Sequence, residues 1–261
     1  MNAESPSLVS WGLPGSDAFE WKALLPEDVA LRAESWARAH LLPDPHGDPA
    51  LEGQYDTVSL CLDTSDLDVY WRSDGHRRRK FRIRRYGAMT GAYLEQKTSA
   101  GGRVSKRRTA VAAGQMGRLE RVLGGEDGAA SGDWGAEWGA EWFLDGVAER
   151  GLKPAALTAY RRRAFLGEAD GWPVRLTIDR EIRGTLAGSW SLAAGAQALA
   201  AAVPLLPGQA VLELKYVASM PALFKHLIEG LGLHATRVSK YRACMKTLLP
   251  PDLRQGAQCG A

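Results

Sequence analysis

Little in this sequence marks an exported or membrane-spanning chain. Cysteine is scarce and odd in number: Cys61, Cys244 and Cys259 lie scattered, with neither C-x-x-C spacing nor a histidine cluster beside them. That pattern excludes a disulfide scaffold and a zinc-finger framework, and it suits free thiols in a reducing compartment. A secretory leader is missing as well, because "MNAESPSLVSWGLPG" holds no basic segment followed by an apolar one. The most apolar stretch, Leu192 to Leu206, is short, Ala-rich and interrupted by Pro204, which excludes a membrane span there. A soluble, cytoplasmic protein is expected.

Acidic residues are nearly absent from one region. Between Arg72 and Arg108 stand thirteen Lys and Arg, with only Asp74 and Glu95 against them, although the whole chain carries just +3. Such a concentration marks either a solvated basic face or a polyanion partner. With 45% hydrophobic and 24% charged residues over 261 positions, there is ample apolar material for a core. No internal repeat of domain size and no clear linker divides the chain. The reading is a loose arm at 1–17, one domain at 18–249 and a disordered tail at 250–261.

Within the domain, periodicity predicts many strands and few helices. "FEWKALL" (19–25) reads as a strand, and "PEDVALRAESWARAHL" as a helix opened by Pro26 with acids in its first turn. "YDTVSLCLDT" alternates as a half-buried strand, and Gly101-Gly102 turns "GAYLEQKT" into "RVSKRRTAV". The stretch "GGEDGAASGDWGAEWG" (124–139) reads as a loop, with the tryptophans of the 133–142 segment as packing anchors. "LTAYRRRAFL", "VRLTIDREI" and "AVLELKYV" resume the strands, and "PALFKHLIEGLGL" carries a helical apolar stripe. The fold class expected is β-rich α+β: an antiparallel closed barrel of about eight strands with flanking helices.

Several strands share one arrangement. In "KFRIRRY", Lys80, Arg82 and Arg84 fall on one face and Phe81, Ile83 and Arg85 on the other. Glu95 and Lys97 share a face opposite Leu94. Arg175, Thr177 and Asp179 oppose Leu176 and Ile178, and Glu213 and Lys215 oppose Leu212 and Leu214. Taken singly, each strand could turn its charges to water. Taken together, cation-rich faces with single carboxylates at close spacing suit a site that grips phosphate oxygens through Arg and Lys and a divalent cation through carboxylates. A closed barrel can hold such a face inside if helices cover its outside.

The motifs "FEWK", "KFRIRRY", "YLEQK", "VSKRR", "YRRRAF", "RLTID", "VLELK" and "SKY", in this order over residues 18–246, resemble the VTC-type polyphosphate polymerase domains of the triphosphate tunnel metalloenzymes (the CYTH-like superfamily). The resemblance implies an antiparallel tunnel lined by Arg, Lys and Glu that binds ATP or another triphosphate and, in the polymerases, inorganic polyphosphate. Carried over by motif, Lys22, Arg82, Arg84, Lys97, Lys106, Arg162, Arg175, Lys215 and Lys240 would bind phosphate. Glu213 would hold Mn²⁺ or Mg²⁺, and Arg82, Arg84, Arg162 and Glu213 would form the catalytic set. Glu20, Glu95 and Asp179 are weaker candidates. Many tunnel enzymes open with Glu-x-Glu-x-Lys; Ala18-Phe19-Glu20-Trp21-Lys22 lacks the first glutamate, which fits one essential metal better than two. The resemblance leaves a polymerase, a triphosphatase and a non-catalytic polyphosphate-binding module open. No specific nucleic acid is expected. The resemblance also leaves room for a membrane partner protein, because eukaryotic relatives work beside membrane-spanning segments.

Overall fold

The structure, a computed structural model, describes residues 18–126, 139–192 and 202–254. Eight antiparallel strands close on themselves. In chain order they are β1 (Ala18–Pro26), β3 (Gln54–Asp63), β4 (Arg79–Tyr86), β5 (Ala92–Ala100), β6 (Arg103–Val111), β7 (Lys153–Ala169), β8 (Trp172–Leu186) and β10 (Gln209–Tyr216). Around the barrel the order is β7-β3-β4-β5-β6-β1-β10-β8, and β8 pairs back onto β7. Two short strands, β2 (Leu42–Pro43) and β9 (Val203–Pro204), extend β7 and β8 beyond the closed ring.

The apolar faces point away from the barrel axis and are covered from outside. On one flank α1 (Glu27–His40) and α5 (Ala222–Gly230) lie over Ala23, Leu25, Leu176, Ile178, Leu212 and Leu214. Ala30, Ala33 and Ala37 give α1 a flat stripe of small side chains, so the helix beds closely against the sheet. Pro26 ends β1 and immediately precedes α1, whose first turn carries Glu27 and Asp28 as expected from the helix dipole. On the other flank α3 (Ala113–Leu123) and α4 (Glu141–Glu149) cover Phe81, Ile83, Leu94 and Val111. Phe143 meets Phe81 edge to face at 5.6 Å. Gly146 is required there: a Cβ on it would stand 2.6 Å from the Phe81 ring. Each such fully buried apolar side chain contributes about 1.5–3 kcal/mol, and this outer shell offsets what it costs to line the inside with charge.

A third apolar cluster sits at one end of the barrel. There α6 (Lys240–Leu248) packs Tyr241, Cys244 and Met245 against Ala156, Tyr160, Ile182 and Val211, beside α2 (Asp68–Trp71). Asp63, at the end of β3, ties these pieces together. Its carboxylate accepts the backbone N–H of Val69 at 2.7 Å and of Tyr70 at 2.9 Å, and the Tyr241 hydroxyl donates to it. Helices α3 and α4 extend to the edges of the stretch read as a loop. The tryptophans at 134 and 138 and the arm at 1–17 lie outside the described residues, as do residues 255–261; Pro251–Arg254 form a short helical turn, α7. Among the described residues no helix is long and apolar enough to cross a membrane.

Candidate functional site

With the apolar faces outside, every second residue of the eight strands faces the lumen, and register places the charged ones in rows. Lys80, Lys97 and Lys106 are cross-strand neighbours on β4, β5 and β6, and Arg82, Glu95 and Arg108 form the next row. Across the tunnel Lys22, Glu213 and Thr177 align on β1, β10 and β8, followed by Glu20, Lys215 and Arg175. Arg162 on β7 stands opposite Asp179 on β8. Lys240 comes from α6 and reaches the same Asp179. The structure therefore brings all thirteen candidate residues into one lumen. Arg85, Arg161 and Arg163 face outward: Arg161 pairs with Asp56, and Arg163 with Glu34 of α1.

The carboxylates act as internal counter-ions. Glu95 is fully buried and receives Arg82 and Arg108, each at 2.6 Å, with the Lys106 Nζ at 3.7 Å. Asp179 accepts both Nε and Nη2 of Arg162 at 2.6 and 2.8 Å and the Lys240 Nζ at 2.6 Å. Lys22 lies 2.6 Å from Glu213 and 3.3 Å from Glu20, while Lys215 spans the same two carboxylates at 3.1 and 3.6 Å. Lys97 donates to Glu20 at 2.6 Å.

The consequences for protonation follow from burial and these neighbours. Burial alone would push each carboxyl up, but the surrounding cations prevail. Glu20, which burial and Glu213 both push up, is brought to about 2 by Lys22, Lys215 and Lys97, and Asp179 to about 2 by Arg162 and Lys240. Glu95 and Glu213 are likewise held well below the usual carboxylate range. In the lysine row burial prevails instead. Burial, then the Lys22 charge, brings Lys97 down to about 7 despite its contact with Glu20, and burial drives Lys106 well below its ordinary value.

Some lumen groups were not among the sequence candidates. Tyr160 presents its ring to Lys240 at 4.4 Å, Arg162 at 5.2 Å and Arg84 at 5.9 Å, so three cations share one aromatic ring. Arg108 lies two residues beyond Lys106, and Tyr160 two before Arg162; strand alternation alone could have flagged both. Asp44, in the loop after β2, binds the Arg175 Nη2 at 2.8 Å, and no local pattern betrays it. Ser59 accepts the Arg84 Nε at 2.8 Å. The Arg175 Nε and the Thr177 hydroxyl are buried without hydrogen-bond partners among the described residues. These are donors that a ligand's oxygens would satisfy.

The lumen can thus bind an extended polyanion, with cations outnumbering carboxylates by roughly two to one. Among the described residues no three His, Cys, Asp or Glu side chains gather as a metal cage. Glu213 and Glu20 nevertheless offer hard, ionised oxygens side by side. A Mg²⁺-type ion needs only one or two carboxylates when phosphates complete its shell, so the residues present fit a cation that arrives with a phosphate ligand.

A search of curated proteins returned no match. Among solved structures, an adenylyl-cyclase candidate from Hippeastrum with a dominant triphosphatase activity has 12% identity and a TM-score of 0.49, covering 90% of this chain and 98% of that one. An adenylate-cyclase candidate from Bacillus halodurans gives 11% identity and 0.49, covering 90% and 100%. A protein of Pyrococcus horikoshii gives 12% and 0.46, covering 88% and 99%. The VTC domain family matches residues 17–249. With that match spanning the whole barrel and the helices that cover it, the chain belongs to the VTC domain family.

Proposed function

We propose that this protein is a metal-dependent polyphosphate polymerase that transfers the γ-phosphoryl group of ATP to the end of a polyphosphate chain. The observation that carries the reading is the closed lumen in which Arg82, Arg84, Arg162, Arg175 and five lysines converge on one axis. Phosphoryl transfer needs little covalent work from a protein; it needs alignment of acceptor and leaving group and neutralisation of charge. A terminal oxygen of the acceptor chain attacks the γ-phosphorus, the bond to the β–γ bridging oxygen breaks, and ADP leaves.

In this reading Arg162 and Arg84 grip the triphosphate, with Tyr160 and Ser59 fixing their planes. Lys22 and Lys215 turn from Glu213 and Glu20 onto phosphate oxygens. The freed carboxylates would hold Mn²⁺ or Mg²⁺, which when bound offsets charge on the phosphate oxygens. The Arg175 Nε and Thr177 Oγ1 supply donors that have no other partner among the described residues.

The deciding assay incubates the protein with ATP and Mn²⁺. Long polyphosphate together with ADP is the expected product. Orthophosphate without polyphosphate would reassign the tunnel to triphosphate hydrolysis, and no consumption of ATP would overturn the enzymatic reading.

Lys97 adds a pH signature. Its folded-state pKa is depressed to about 7, so in the free protein at pH 8 it is largely neutral. A phosphate placed beside it favours the ammonium and raises that pKa. Tripolyphosphate binding at pH 8 should therefore take up protons, and affinity should fall as pH rises above about 7. Calorimetry in two buffers of different ionisation enthalpy measures the uptake; identical heats in both would refute it.

A further inference from the structure

The lysine row does not end inside the lumen. Lys80 is the second residue of β4, at the end of the barrel where α2 and α6 pack, and three arginines are carried on or just before those two helices. Arg72 caps the C-terminus of α2 and is exposed. Arg242 follows Tyr241 on α6 and lays its guanidinium 5.5 Å from the Tyr70 ring of α2. Arg237 is exposed in the segment between α5 and α6. Asp63 holds α2 and α6 together through Val69, Tyr70 and Tyr241, so Arg72 and Arg242 are carried on one pinned unit, and Arg237 enters it from the segment leading into α6.

None of Lys80, Arg72, Arg237 and Arg242 forms an ion pair with a carboxylate among the described residues. This is the opposite of the lumen, where most cations have an internal counter-ion. Burial, then the charges of Arg242 and Arg237, hold the Arg72 guanidinium below the usual arginine range. Burial also lowers Lys80, and the charges of Lys22, Arg72 and Arg242 add to the effect. The backbone at Arg72 is a second sign. It adopts φ 64°, ψ 36°, the left-handed C-cap conformation for which glycine is the usual residue. A long cation placed where glycine would relieve strain, beside two others of its own sign, costs stability twice.

We propose that Lys80, Arg72, Arg237 and Arg242 form a second anion site at the α6 end of the barrel, which takes the phosphates of a linear polyphosphate chain extending past the lumen. The inference rests on the polyphosphate reading of the tunnel and deepens it: ligands of two lengths are distinguished, short ones held by the lumen alone and long ones by lumen and outer site together. Four residues of strand separate Lys80 from Arg84, about 13 Å at ~3.3 Å per residue, so a chain held at Arg84 must extend well beyond a triphosphate to engage the outer cations.

The test measures binding without turnover, using inorganic tripolyphosphate and long-chain polyphosphate as probes. Arg72→Gly suits the left-handed backbone and removes the charge without threatening the fold; Arg237→Glu alters an exposed loop position. In the double variant, long-chain affinity should fall about tenfold or more, with a shallower salt dependence, while tripolyphosphate affinity stays within about twofold. Unchanged long-chain affinity, or equal losses for both probes, would overturn the site. Failure of this test leaves the ATP assay untouched, and failure of the ATP assay does not alter a length-dependent loss of binding. The two readings therefore fail separately.

Discussion

Arg84→Ala should weaken tripolyphosphate binding by about a hundredfold or more, and Arg85→Ala by less than about twofold. The two residues are neighbours with identical side chains, so composition and net charge change equally in both variants. They differ only in the face of β4 they occupy. Arg84 is buried in the lumen, held by the Ser59 hydroxyl and set between the rings of Tyr86 and Tyr160. Losing a buried, charge-assisted contact to an anion typically costs 2–5 kcal/mol. Arg85 sits opposite Val58 of β3, on the outward face. Isothermal titration of both variants, with thermal unfolding to confirm that each folds, makes the comparison. Equal losses would refute the inward assignment of the site.

Replacing Glu95 by Gln should lower the unfolding free energy by about 3–5 kcal/mol, the usual cost of removing one partner from a buried ion pair. Glu95 is wholly buried, with Arg82, Arg108, Lys106 and Arg84 around it. Gln keeps the volume and one acceptor oxygen but leaves these cations facing one another. The loss should be reversible in an informative way. Tripolyphosphate, supplying the missing negative charge, should restore stability, by about 2.7 kcal/mol at a hundredfold excess over its dissociation constant. Urea unfolding with and without the anion measures both effects. A variant as stable as the parent, or one that tripolyphosphate does not rescue, would show that Glu95 is not the counter-ion of a phosphate site.

Much of this was legible in the linear chain, and the reasons are local. The alternation of "KFRIRRY" places Arg82 and Arg84 against Phe81 and Ile83 whatever the tertiary structure. Only its repetition in "YLEQK", "RLTID" and "VLELK" decides that the charged side is the inner one, since a single strand reads the same either way. The "YRRRAF" strand was less legible because its outer face is also cationic. Arg161 and Arg163 are there to bind Asp56 and Glu34, and an outward arginine with a partner on another element looks locally like an inward one. Asp44 was illegible for a related reason: it meets Arg175 from a loop 131 residues away, with no periodicity to announce it. Helices α3 and α4 were hidden by the Gly- and Trp-rich stretch between them. Their role becomes plain only once Phe81 and Leu94 are known to need cover on the outside.

The paired charges of the lumen have a further consequence for which ligands succeed there. A lone phosphate or chloride that displaces one carboxylate gains one contact and leaves the remaining Arg–Asp and Lys–Glu pairs intact. A chain of linked phosphates is different: once one group has exchanged with Glu213, the next is held at high effective concentration near Asp179 and Glu95. Exchange at successive rows then becomes intramolecular. On the polyphosphate reading, the strand register would thus discriminate by valency rather than by intrinsic affinity for phosphate. It would keep the tunnel indifferent to abundant monovalent and single-phosphate anions while responding steeply to chain length.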